Sequence, residues 1–201
     1  MTATAVDSDA RTVGAERGRP AHLPGELSMW VFVLGDLAIF GIYFIIFMFS
    51  RLQQHDVFLA SQRHLSQGLG ALNTLLLLTS SRLVARAALA ARGGEHERAA
   101  RLTLGGGACG VVFIAVKALE WSAKIRQGYT LPVNDFFAYY YVLTGVHVLH
   151  VVLGLIILGI VVRELRTPSL RRLSIVESGA IFWHLVDLLW IVIFVLLYVM
   201  R

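Results

Sequence analysis

Three pairs of ionisable residues stand three positions apart within apolar stretches: Lys117 and Glu120, His147 and His150, His184 and Asp187. A further acid, Asp36, is alone in the first apolar stretch. On a helix, residues three apart share a face and can meet. Lys117 and Glu120 can neutralise each other or form half of a proton relay. His147 and His150 can ligate a metal or haem, or bond between helices. Bis-histidine haem needs imidazoles from opposite faces of the ring, so His184 on another helix would have to join them. His184 and Asp187 read as an ion pair or hydrogen bond. No nucleophile in an elbow context stands beside them to make them an oriented base. Asp36 has no partner in its own stretch, so a His or a Lys from elsewhere must approach it.

These groups must be positioned by membrane helices. The chain has 201 residues, 57% hydrophobic and only 15% charged, with mean hydropathy +0.69. A soluble domain is nearer half apolar and about a quarter charged. That excludes disorder, an ordinary soluble enzyme and a nucleic-acid partner, although the net charge is +5. One cysteine, Cys109, excludes a disulfide framework and a cysteine-held metal. Apolar runs fall at about 27–49, 68–91, 102–125, 136–162 and 175–200. A span needs about 20 apolar residues. The runs are too long and too continuous for barrel strands, so helices remain. The fold expected is an all-α membrane protein: residues 1–26 form a flexible polar tail, and 27–201 a bundle of five transmembrane helices.

Punctuation agrees with that division. Gly93-Gly94, Gly128 with Pro132, and Thr167-Pro168 fall between runs as helix stops. Ser174 and Glu177 fit a capping box at the last helix. Gly106 and Gly110 form a small-xxx-small face, and Gly154 offers another close approach. Trp30, Trp121, Trp183, Trp190 and the run Tyr139-Tyr140-Tyr141 read as interfacial anchors. One side of the bundle collects Arg11, Arg17, Arg19, Arg82, Arg86, Arg92, Arg98, Arg101, Arg163, Arg166, Arg171 and Arg172. The other holds Arg51, Arg63, Lys124, Arg126 and Arg201. The positive-inside rule puts the N-terminus in the cytoplasm and the C-terminus outside. Arg82 lies deep and must snorkel.

Two motifs resemble the subunit III family of the haem-copper (cytochrome c or quinol) oxidases. Residues 182–190, FWHLVDLLW, are similar to its WHFVDxVW signature, and 144–151, TGVHVLHV, with Gly154, to its TGxHxxHVxxG signature. Leu72-Asn73-Thr74 and the stretch ending at Ser81 add to the likeness. The family has a seven-span form, whose two extra helices wall a lipid-holding cleft, and a five-span form like this chain. Many members carry a carbodiimide-reactive glutamate in an SE-x-x-FF context, where this sequence has Gly35-Asp36 and then Phe40. Gly35-Asp36, Leu23-Pro24-Gly25-Glu26, 117–121 (KALEW) and 134–137 (NDFF) look closer to a NorE-like branch associated with nitric oxide reductase.

The resemblance implies a non-catalytic subunit in a bacterial plasma membrane, with no haem or metal of its own and with bound phospholipid an option. Haem and copper, or haem and non-haem iron, would sit in the partner catalytic subunit. The partners implied are subunit I and the other subunits of a haem-copper oxidase, or a nitric oxide reductase in their place. The role implied is to brace the catalytic chain and sustain proton delivery. Asp36, Lys117, Glu120, His147, His150, His184 and Asp187 would form an internal polar network. A small haem-binding protein and a transporter are the competing readings. The absence of internal repeats and broken helices weighs against the transporter.

Overall fold

In the computed structural model the described residues are 27–168 and 172–200. The tail expected at 1–26, together with Arg171 and Arg201, lies outside them. The described residues form α1 (Leu27–Gln53), α2 (His55–Gln62), α3 (Gln67–Arg92), α4 (His96–Arg126), α5 (Asp135–Arg166) and α6 (Leu173–Phe194). A five-residue π-helical turn, Val195–Val199, continues α6. Five of the helices are long and apolar enough to cross a membrane, as the apolar runs predict. The short helix α2 is not predicted, because its polar sequence gives no apolar run. It folds the α1–α3 connection back against α5 and the end of α6.

Local chemistry sets the boundaries. Gly94 (φ 79°) and Gly128 (φ 86°) take the left-handed conformation just past α3 and α4, where a side chain would be strained. Asn134 caps α5, its side-chain oxygen accepting from the Phe137 amide at 3.0 Å. The capping box expected at Ser174 does not form. Helix α6 already begins at Leu173, with Arg172 at the cap and no side-chain cap bond. Glu177 instead accepts from Arg92 Nε at 2.9 Å, an ion pair that ties α6 to the end of α3.

The buried positions follow a seven-residue repeat. On α3 they include Gly70, Asn73, Leu77, Ser80, Val84, Ala87 and Ala91. On α4 they include Thr103, Gly106, Gly110, Phe113, Lys117, Glu120 and Lys124. On α5 they include Phe137, Tyr140, Thr144, His147, Val151, Gly154 and Leu158. Alternating steps of three and four are the signature of helices wound left-handed with side chains interlocked. Asn73, Ser80, Thr103, Lys117, Glu120, Thr144 and His147 lie in these seams.

Helix α6 is the centre. Inside the bundle, 61% of its apolar window is buried, against 17% for α1. Trp183 and Trp190, expected at the interface, are fully buried on it. The glycines opposite explain why. A Cβ at Gly110 would come within 2.7 Å of the Trp183 ring, and one at Gly154 within 2.8 Å. The indole is a wedge between α4 and α5, and both glycines are needed to seat it. Its Nε1 donates to Ser80 Oγ at 2.9 Å, and that hydroxyl donates to the Gly106 carbonyl at 2.8 Å. A Cβ at Gly106 would meet Val84 at 2.7 Å. One tryptophan thus joins α3, α4, α5 and α6.

The end of α6 is capped from outside itself. The last carbonyls of a helix lack internal donors. Arg51 Nη1 donates to the Met200 carbonyl at 2.6 Å. Gln62 Nε2 donates to the carbonyls of Leu196 and Leu197, each at 3.2 Å. Gln67 Nε2 donates to that of Tyr198 at 2.7 Å. Arg51, read in the sequence as a loop charge, is buried for this purpose. At the same end Lys124 donates to the His64 carbonyl.

Candidate functional site

Lys117 and Glu120 are both buried, on one face of α4. Lys117 Nζ donates to Glu120 Oε2 at 3.0 Å. It also reaches the hydroxyls of Tyr198 at 2.7 Å and Tyr140 at 3.3 Å. Tyr198 in turn donates to Glu120 Oε1 at 2.8 Å, which closes the circuit. The ammonium also sits over the Tyr140 ring, 4.7 Å from its centroid, with Trp190 and Tyr198 each at 5.3 Å. A charge in hydrocarbon costs several kcal/mol by insertion scales (~2.5–3.5). Here every donor of the ammonium has an acceptor and the net charge is zero.

The next seam position up α5 from Tyr140 and Thr144 is His147. It is fully buried between Phe113 (centroids 5.5 Å apart, 81°) and Trp190 (5.2 Å, 34°). Neither ring nitrogen has a hydrogen-bond partner. His150 does not join it. The seam runs from His147 to Val151, and position 150 falls on the flank that faces α1. There His150 Nε2 lies 3.1 Å from Asp36 Oδ1. This is the approach of a histidine that Asp36 requires.

Both ring nitrogens of His150 are engaged at this second site. His150 Nδ1 lies 2.8 Å from the Val146 carbonyl. A carbonyl only accepts, so Nδ1 carries a hydrogen. If the ring is neutral, Nε2 is a bare acceptor and Asp36 must supply the proton. If the ring is charged, Nε2 donates to an ionised Asp36. Either way one hydrogen lies between Nε2 and Oδ1 and ties α5 to α1.

His184 and Asp187 do not bond to each other either. His184 Nδ1 meets the Ser81 hydroxyl at 2.7 Å, across to α3. Asp187 lies beside Ser81, yet neither carboxyl oxygen makes a well-formed hydrogen bond. Among the described residues no group of three or more His, Cys, Asp or Glu side chains could hold a metal ion. The imidazoles of His147, His150 and His184 go to three different partners: an aromatic slot, Asp36 and Ser81.

Residues 23–201 match the family described as cytochrome c oxidase subunit III. This chain belongs to the subunit III family. It is 29% identical to cytochrome c oxidase subunit 3 of Thermostichus vulcanus, over 87% of this chain and 86% of that protein. With cytochrome c oxidase subunit 3 of Synechocystis sp. it shares 30% identity, over 100% of this chain and 88% of the relative. It is also 30% identical to the heme-copper oxidase subunit I+III of Aeropyrum pernix, over 85% of this chain; the match spans 22% of that longer protein. These names are those of oxidase subunits, and the NorE-like branch is not favoured.

Both subunit III signatures divide their work between core and flank. In FWHLVDLLW, Trp183 and Trp190 fill the core while His184 turns to Ser81. In TGVHVLHV, His147 fills the seam while His150 turns to Asp36. Sequence reading misses Tyr140 and Tyr198 as the hydroxyl partners of Lys117 and Ser80 as the Trp183 acceptor; Asn73, which the likeness to the family includes, has buried and unbonded side-chain atoms. Tyr140 could have been found, since it precedes His147 by one seven-residue repeat. Tyr198 could not, because only the π turn brings it round.

Proposed function

We propose that this chain is the non-catalytic subunit III of a haem-copper terminal oxidase, bracing the catalytic subunit and supporting its proton uptake. The observation that carries this reading is the family match across all five spans. The name of the Aeropyrum pernix relative joins subunits I and III, as expected of two parts that work as neighbours. Haem and copper belong to the partner, and the polar groups of this chain act by fixing its helices. Residues 27–201 act as one domain in a bacterial plasma membrane. The end bearing Arg92, Arg98, Arg163 and Arg166 faces the cytoplasm, by the positive-inside rule.

The first experiment is to tag the C-terminus, solubilise native membranes gently and identify the co-purifying chains by mass spectrometry. Recovery with a haem-copper catalytic subunit is expected. Recovery with a nitric oxide reductase, or of the chain alone, would overturn the assignment.

Within this reading, Asp36 and His150 join α1 to α5 across an otherwise slender contact. Toward the far end of α1, Ser50 meets Tyr139 of α5 at 2.8 Å, and Gln54, just past α1, donates to Asp135 at 2.6 Å. Asp36→Ala leaves His150 half-buried without its acid, a loss of about 1.5–3 kcal/mol for a charge-assisted bond. It is expected to weaken assembly or shorten sustained oxygen turnover while leaving the haem spectrum unchanged. Equal yield of complex and equal turnover lifetime would rule out a role for the pair.

A further inference from the structure

Arg82 and Arg86 stand one turn apart on the outward face of α3, both exposed. Neither has a hydrogen-bond or ion-pair partner among the described residues. Nearby arginines do: Arg92 holds Glu177 and Arg98 holds Glu95. Helix α3 has 26 residues, about 39 Å, against a hydrocarbon core of about 30 Å. If α3 is centred, Arg86 starts about 5 Å and Arg82 about 11 Å inside the boundary. Their side chains can snorkel outward, which brings both guanidinium groups to the level of the lipid phosphates.

The surface beside them fits such an anion and what it is attached to. An open cleft of about 210 Å³ is lined by Arg86, Leu89, Ala90, Glu95, Arg98 and Leu102. Its one carboxylate, Glu95, is already taken by Arg98 at 2.8 Å, which leaves Arg86 in excess. Deeper, at the level of Arg82, α4 presents Gly105, whose missing side chain would only touch Leu83. Further along the same face of α3, Leu78 and Leu75 are exposed. Along the membrane normal the groove therefore runs from basic, through bare backbone, to apolar.

We propose that this α3–α4 groove binds one anionic phospholipid, with its phosphate held by Arg82 and Arg86 and an acyl chain laid along Leu78 and Leu75. The order of the groove is that of a phospholipid, from charged head to apolar tail. A protein carboxylate would satisfy the arginines but would leave the apolar continuation without meaning. The inference stands on the α3–α4 hairpin and does not need the oxidase assignment.

The test uses the complex as it is purified from native membranes. After a detergent wash, phosphatidylglycerol and phosphatidylcholine are titrated back and bound lipid is read by native mass spectrometry. One phosphatidylglycerol per copy is expected, in preference to phosphatidylcholine. Arg82→Gln with Arg86→Gln should weaken its retention by about fivefold for each arginine removed. Arg63→Gln with Arg126→Gln, at the other end of the bundle, should not. Equal binding of the two lipids by the unaltered protein overturns the proposal. So does undiminished phosphatidylglycerol in the double glutamine variant, or loss of a partner chain with lipid unchanged, which would assign the arginines to a protein contact. Should the glutamine variant not assemble, Arg82→Lys with Arg86→Lys keeps both charges, and loss of lipid preference there also overturns it.

Discussion

Glu120→Ala is expected to destabilise the chain by about 3–5 kcal/mol, the usual effect of removing one partner from a buried ion pair. Lys117 is 1% exposed and Glu120 2% exposed. Without the carboxylate, the ammonium keeps two tyrosine hydroxyls and three ring faces but has no counter-charge. The measurement is the midpoint of thermal unfolding of the purified complex in mild detergent, with co-purification as a second readout. Removing both charges at once tests the cause. Lys117→Met with Glu120→Leu replaces the pair with apolar groups of similar volume, and most of the loss should be recovered. Tyr198→Phe, which deletes only the bridging hydroxyl, should lose less, about 1.5–3 kcal/mol. A Glu120→Ala complex that melts with the unaltered one would show that the pair is no support. A double variant no better than the single would instead make the pair's charges themselves essential.

Trp183→Ala is the second large effect, about 3–5 kcal/mol. In lipid this is not a hydrophobic loss, because hydrocarbon surrounds the bundle whether or not it is packed. What disappears is dispersion contact on several helices at once, together with the bond to Ser80. The glycines supply a reciprocal check. Gly154→Ala sets a methyl 2.8 Å from the indole, and overpacking of this kind costs about 1–3 kcal/mol. In the Trp183→Ala background the same methyl enters vacated space, so its cost should vanish or change sign. Unfolding midpoints of the two single variants and the double decide the matter. Additive losses would mean that the ring and the glycine do not share a contact.

The number of spans and the helix breaks were legible because lipid permits few backbone solutions. A long apolar run must be helical, and Gly94 and Gly128 mark stops wherever they fall. The Lys117–Glu120 contact was legible for the same local reason, a spacing of three on one helix. His147–His150 and His184–Asp187 have that spacing too, yet their members part. The packing seam admits one of each pair and turns the other to a neighbouring helix. Which helix it meets depends on the arrangement of the bundle, and single-helix spacing does not carry that. Trp183 and Trp190 were misread for a related reason. Tryptophan is common at membrane surfaces, and only the glycines across from it reveal a slot. The polar caps on the end of α6 had no sequence signal, since Arg51, Gln62 and Gln67 meet it only after the chain has crossed the bundle.

The central helix is also the last of the five to be made. Tyr198 completes the Lys117–Glu120 circuit from a distance of 78 residues along the chain. At a synthesis rate of roughly 5–20 residues per second, the pair waits about 4–16 s for its hydroxyl after leaving the ribosome. During that interval α3, α4 and α5 are already in or near the membrane, with the groove for α6 open. The polar side chains that will be internal must be sheltered by one another or by insertion machinery. A chain that stops before α6 would hold a lined but unfilled groove. Insertion of α6 thus acts as a plug, and its indole, wedged between α4 and α5, locks a bundle that the earlier spans leave open.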